Sequence, residues 1–173
     1  MAVSKPSTFT EFHQTTLSLI KLLISLSEEQ LNFQPKQGWS AAQVGEHILK
    51  SYASVETLNG KTSETQRPID QKLDSVRTLF LDTSIKIDSP TEILPSRENI
   101  SKRQLIKDLE NRIEQIKEVI QNKDLSLTCV DFAIPEYGQF TRYEWIWFNI
   151  YHTQRHIFQL KNIISANNLK SNH

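Results

Sequence analysis

Tyr151-His152-Thr153-Gln154-Arg155-His156 sits inside a long apolar run, Trp145 to Ile164, whose spacing is that of a helix. Trp145, Phe148, His152, His156, Leu160 and Ile163 share one face of that helix. Ile146, Ile150, Ile157 and Ile164 share another, with Trp147, Tyr151 and Phe158 between them. A helix that is apolar almost all round is either central to a bundle or covered by a second subunit. Its first face stacks two imidazoles four residues apart, which puts their Cβ atoms about 5–6 Å from each other. Two histidines at that spacing can hold one metal ion.

Reading back from this helix, Thr141 and Glu144 form a T-x-x-E capping box that starts it. Leu125 to Phe140 is a connector with Cys129, Pro135 and Gly138. A short strand through Leu127 to Ile134 is conceivable, but with nothing evident to pair with. Before it, Ser101 and Gln104 open a long amphipathic helix with Ile106, Leu109, Ile113, Ile116 and Ile120 as its apolar stripe. Lys61 to Ser96 carries Pro68, Pro90 and Pro95, which break any long helix. A short helix from Asp70 to Leu81 is expected there, with Leu73, Val76, Leu79 and Phe80 as its apolar set. The remainder of that connection has the character of a pocket wall or a crossover.

Nearer the start, Ser40 and Gln43 make another capping box, and Asn59-Gly60 is the expected stop. Between them His47 shares the buried stripe of Val44, Ile48, Ser51, Val55 and Leu58, while Glu46 points about 100° away and reads as solvated. A first helix is expected from a Thr8/Glu11 capping box, with Phe12, Thr16, Leu19, Leu23 and Leu26 inward. It ends near Ser27, where Ser27 and Gln30 suggest a further short turn. His13 has no coordinating partner at helical spacing and reads as a surface or partly buried histidine. Four long helices without a recurring strand pattern give an all-α four-helix bundle, with a long irregular connection between helices 2 and 3.

The chain has 173 residues, enough for a single domain (1–173), and 20 basic residues balance 20 acidic ones. A phosphate-binding surface needs a basic excess, so nucleic acid is not expected as a partner. Cys129 is the only cysteine, which leaves no intrachain disulfide and no cysteine-rich metal site. No run approaches the roughly 18 apolar residues of a membrane span, and Met1 to Pro6 lacks the apolar core of a signal peptide. A soluble, cytoplasmic protein is therefore expected.

Burying an imidazole without a partner costs about 1–3 kcal/mol by analogy with other polar groups. Two stacked on one apolar face need either two separate hydrogen-bonding solutions or one shared metal. His47, on the buried face of another well-capped helix, is the natural third ligand. The alternative is a pair of core histidines held by Asn149, Gln159 and main-chain groups. Two metal classes are excluded by residue type. A zincin places glutamate directly after the first histidine, where this chain has Thr153. Di-iron bundles need glutamates three residues before their histidines, and here those positions are Val44, Asn149 and Thr153.

Three segments carry a resemblance. They are Gly38-Trp39-Ser40 leading on to His47-Ile48, then Pro135 to Thr141, then Tyr143-Glu144-Trp145 running on to Tyr151 through Leu160. In their order and spacing the chain resembles the DinB-like/YfiT-like superfamily of four-helix-bundle metalloenzymes over roughly residues 8–165. The resemblance implies that His47, His152 and His156 bind one divalent ion, nickel or zinc above all, and that the protein forms a homodimer. Relatives include thiol-dependent transferases and isomerases that use bacillithiol or mycothiol. Relatives often carry a histidine where this chain has Ile134, so that side chain's role is not carried over.

The expectation is thus a metal-dependent enzyme acting on a small molecule by thiol S-transfer or hydrolysis, with a low-molecular-weight thiol as cosubstrate. Asn149, Tyr151, Arg155 and Glu144 are the candidates to orient ligands or touch substrate, from their proximity along the helix. Cys129 lies in the connector with no histidine near it in sequence and is not expected to be the nucleophile. The competing expectation is a non-catalytic, metal-stabilised bundle that serves as an interaction module.

Overall fold

A computed structural model of the chain describes residues 4–171, with side chains as far as Ala166. Its α-helices are α1 (Lys5–Ile24), α2 (Glu28–Asn32), α3 (Ala41–Ser51), α4 (Ser54–Asn59), α5 (Leu73–Leu81), α6 (Lys102–Asn122) and α7 (Arg142–Ser171). The bundle closes as a ring: α1 packs on α6 and α7, and α3 packs on the same two from the opposite side. α5 lies outside this ring along α7. Phe12, Leu19, Leu23, Val44, Ile48, Leu109, Ile116, Ile146 and Leu160 meet in the centre, all buried.

The polar start signals operate as expected at four helices, with Ser101 accepting the Gln104 N–H at α6 (3.4 Å). Ser27 with Gln30 and Ser40 with Gln43 form reciprocal capping boxes at α2 and α3. At α7 the Glu144 N–H donates to Thr141 Oγ1 (3.0 Å), and the Thr141 N–H donates to Glu144 Oε2 (2.9 Å). α1 differs from expectation by starting earlier, at Lys5, with proline in its first turn. Pro6 has no N–H to lose there, and the Thr8 hydroxyl donates back to the Ser4 carbonyl instead of capping (3.0 Å).

The second expected helix is in fact two. At Ala53, Val55 and Glu56 the backbone N–H groups bond three residues back, to Lys50, Tyr52 and Ala53. The Ser51 hydroxyl also takes the Ile48 carbonyl (2.8 Å), a side-chain competitor that bends helices. Gly60 ends α4 with a negative φ of −75°, so it is not a left-handed stop. A Cβ here would fall 2.2 Å from the Asp131 carboxylate, so that exposed side chain, which accepts the Lys61 N–H, would have to shift. The connector's short strand does find a partner: β2 (Thr128–Cys129) pairs antiparallel with β1 (Thr62–Ser63). On α6 the core takes Leu105 in addition to the expected stripe, and Ile106 is only partly buried.

Lys61 to Ser96 remains mostly irregular, with α5 and a 3₁₀ turn at Thr91–Ile93. Residues 93–96 lie along α3, which grips their backbone. Glu46, expected to be solvated, is part of that grip, accepting the Ser96 N–H at 2.6 Å. No helix among the described residues is long and apolar enough to cross a membrane.

Candidate metal centre

His47 enters from α3, and His152 and His156 enter from α7 one turn apart. The three are buried, at 1%, 5% and 8% exposure. Their ring centroids lie 4.5 to 5.0 Å apart. His47 Nε2 is 3.0 Å from His152 Nε2, which is 3.1 Å from His156 Nε2. Burial favours the neutral form of all three. Desolvation lowers His47, lowers His156 to about 4, and lowers His152 well below the ordinary range. The neighbouring histidines and the Arg155 charge press His152 and His156 in the same direction.

The opposite ring nitrogens determine where the protons reside. His47 Nδ1 donates to the Ile93 carbonyl (2.8 Å), and His156 Nδ1 donates to Gln159 Oε1 (2.8 Å). The Ser51 hydroxyl gives its hydrogen to the Ile48 carbonyl, so it offers His152 Nδ1 an oxygen lone pair, at 3.3 Å. With each Nδ1 protonated, each Nε2 carries a bare lone pair, and the three lone pairs face one another. Such close contacts repel unless a cation lies among them, and burial disfavours a proton in that role. Nitrogen donors with their second nitrogen hydrogen-bonded outward are the usual form of histidine metal ligands. The donor set therefore fits a metal: three buried histidines whose ligating atoms lie within 4.8 Å of one another can hold an ion.

Aromatic rings wall the trio. The Trp39 indole lies 4.9 Å from His47 and 6.4 Å from His156, the latter stacked. Phe80 and Phe148 pack on His152 at 5.2 and 6.0 Å. One side opens. A cleft of about 610 Å³ reaches His156 and Gln159, lined also by Trp39, Ile87, Leu94 and Phe158.

Of the other candidates, Arg155 lines this cleft, but its guanidinium is taken up by main-chain carbonyls. It donates to Phe80 and Asp82 (both 3.2 Å) and to Ile85 (2.6 Å), fixing the cleft wall to α7. Asn149 is buried one turn before His152 and exchanges hydrogen bonds with Ser54 (3.0 and 3.2 Å), not with a histidine. Tyr151 packs on Trp147 at 5.4 Å, on a different face of α7. Glu144 is two helical turns from His152, about 12 Å along the axis at 1.5 Å per residue. Its fully buried carboxylate pairs bidentately with Arg67 (2.7 and 2.6 Å) and accepts the Lys72 N–H (2.9 Å). The structure does not bring Asn149, Tyr151 or Glu144 to the trio. His13 is exposed and stacks on Phe9. Cys129 is buried, and desolvation pushes its thiol up to about 11, well away from a thiolate at neutral pH.

Sequence reasoning missed Ser51 and Ile93 as partners of the ring nitrogens. Ser51, four residues after His47 on the buried stripe, was within reach of helical geometry. The Ile93 carbonyl was not, since any residue supplies a carbonyl.

Residues 11–160 match the family model of the DinB superfamily. The chain is also 27% identical over 157 residues to the uncharacterized protein YuaE of Bacillus subtilis (strain 168), covering 88% of this chain and 94% of that one. No solved structure matches it.

Proposed function

The chain belongs to the DinB superfamily, and for this member we propose a metal-dependent enzyme acting on a small molecule, by thiol S-transfer or hydrolysis. His47, His152 and His156 are the ligands of one divalent ion, nickel or zinc, with a low-molecular-weight thiol as cosubstrate and a homodimer as the assembly. The observation that carries this reading is the meeting of three Nε2 atoms, each on a ring whose Nδ1 lies against an oxygen, beside an open cleft that reaches His156. A purely structural ion is usually enclosed by four protein ligands, whereas a catalytic one keeps a position open. Among the described residues this cluster has three histidines and no fourth ligand-type side chain.

A divalent ion held by His47, His152 and His156 would supply Lewis acidity, the chemistry that makes an oxygen or sulfur nucleophile available at neutral pH. The chain's own residues do the rest. Ile93, Gln159 and Ser51 hold the imidazole protons outward, at Nδ1. Trp39, Phe80 and Phe148 exclude water from the flanks. Arg155 keeps the cleft wall in place, and the cleft's apolar residues Ile87, Leu94 and Phe158 would receive the body of a substrate.

The test is consumption of low-molecular-weight thiols with monobromobimane as electrophile, before and after chelation and after zinc or nickel is restored. Turnover that vanishes with the metal and returns with it supports the enzyme. Rates identical with and without metal across several thiols, together with no metal-dependent hydrolysis of model esters, would leave the non-catalytic, metal-stabilised bundle as the better reading.

A further inference from the structure

Four side chains on one face of α3, at positions 43, 46, 47 and 50, hold the backbone of residues 93–96. Gln43 Nε2 donates to the Ser96 carbonyl (2.8 Å), and Glu46 Oε2 accepts the Ser96 N–H (2.6 Å). His47 Nδ1 donates to the Ile93 carbonyl (2.8 Å), and Lys50 Nζ donates to the Leu94 carbonyl (2.7 Å). The spacing of three, four and seven residues puts all four on a single helical stripe. Ile93 ends the 3₁₀ turn that starts at Thr91, and that turn packs against α3. The Ile93 carbonyl that orients His47 thus sits where Glu46 and Lys50 put its neighbours.

We propose that Glu46 and Lys50 are positioning residues for the metal centre: by clamping Ser96 and Leu94 onto α3 they present the Ile93 carbonyl to His47 and hold that imidazole with its lone pair on Nε2. This rests on the metal-site reading above for its functional meaning, but its structural part stands without a metal. Neither residue is a metal ligand, and neither is part of the cluster of ligating atoms. Gln43 grips the same segment but also closes the capping box of α3, so its loss would not isolate the clamp. Glu46 is free of that second duty. Its carboxylate lies within 3.6 Å of Lys50, which ties the two clamps together.

The test uses Glu46→Ala, Glu46→Gln and Lys50→Ala in the full chain. Long-range ¹⁵N–¹H correlation of the imidazoles in metal-free protein reads the tautomer of His47 directly. Zinc affinity is read by competition with a chromophoric chelator. Wild type is expected to show His47 protonated at Nδ1. Glu46→Ala is expected to mix the two tautomers and weaken zinc about tenfold, the low end for loss of a ligand's outer support. Glu46→Gln, which keeps an oxygen for the Ser96 N–H, is expected to restore both readouts. Lys50→Ala gives the same reading through Leu94 if Glu46→Ala fails to fold.

A wild-type tautomer in folded Glu46→Ala and Lys50→Ala overturns the proposal. A tautomer that responds in a protein that binds no zinc at all supports the clamp while removing the metal reading. Zinc binding that is lost in His47→Ala but unaltered in tautomer-shifted Glu46→Ala shows that the clamp does not serve the metal, and overturns it.

Discussion

Replacing Arg67 with methionine separates a structural Glu144 from one that serves the chemistry. The Glu144 carboxylate is fully buried, and two Arg67 nitrogens reach it at 2.6 and 2.7 Å. Removing one partner of a buried pair strands the other charge, typically at about 3–5 kcal/mol. Here the carboxylate keeps the N–H groups of Lys72 and Thr141, both at 2.9 Å, so the loss belongs at the lower end, about 3 kcal/mol. The same guanidinium also serves the Pro68 and Gln139 carbonyls, which keeps the cost from falling much below that. For a chain of this size each kcal/mol moves the midpoint by about 2–4 °C, so Arg67→Met should melt about 6–12 °C lower. Urea unfolding followed by circular dichroism gives the free energy. Adding Glu144→Gln should recover about half of the loss, because the buried charge is then gone while one backbone N–H still has its acceptor. A loss below about 1 kcal/mol, or a double variant no better than the single, would refute the reasoning and return Glu144 to the list of groups available for chemistry.

Three further outcomes follow from the same structure. In metal-free protein the three histidines are held neutral below their ordinary range of about 6.5, so between that value and about 4 the unfolded chain binds more protons than the folded one. Stability should therefore fall as pH drops through that window, by on the order of 3 kcal/mol from His156 alone, with Lys50 and Arg155 as the nearby positive charges opposing its protonation or that of its neighbours; urea midpoints flat from pH 7 to 4.5 would contradict this. Zinc at about 100 times its Kd should add about 2.7 kcal/mol to wild type, or about 5–11 °C in the melting midpoint, and nothing to His152→Ala. Cys129, buried with its thiol pushed up to about 11, should resist iodoacetamide at pH 8 until the protein is denatured, as followed by intact mass.

What could be read from the sequence is what local chemistry specifies. Ser27/Gln30, Ser40/Gln43 and Thr141/Glu144 are reciprocal caps that satisfy the orphan N–H groups of a helix start, and each marks a real one. The apolar stripes place His47, His152 and His156 inward, and the structure brings the three together. The break between α3 and α4 was not legible, because no proline or glycine marks it; a hydroxyl competing for the Ile48 carbonyl does. The pairing of Thr62 and Ser63 with Thr128 and Cys129 joins two-residue strands, too short to leave a period. Glu46 looked solvated because the helical repeat shows only which way a side chain points. It cannot show that residues 93–96 return from the far end of an irregular connection to cover it.

The proposed function stands on three imidazoles that hold one divalent ion. Metal analysis of protein purified without an affinity tag tests it most directly, with His47→Ala and His152→Ala prepared in parallel. Close to one zinc or nickel per chain is expected in wild type, lost in both variants while their helical content persists. Wild type without metal that also fails to take up added zinc or nickel, or variants that retain the ion, would contradict it.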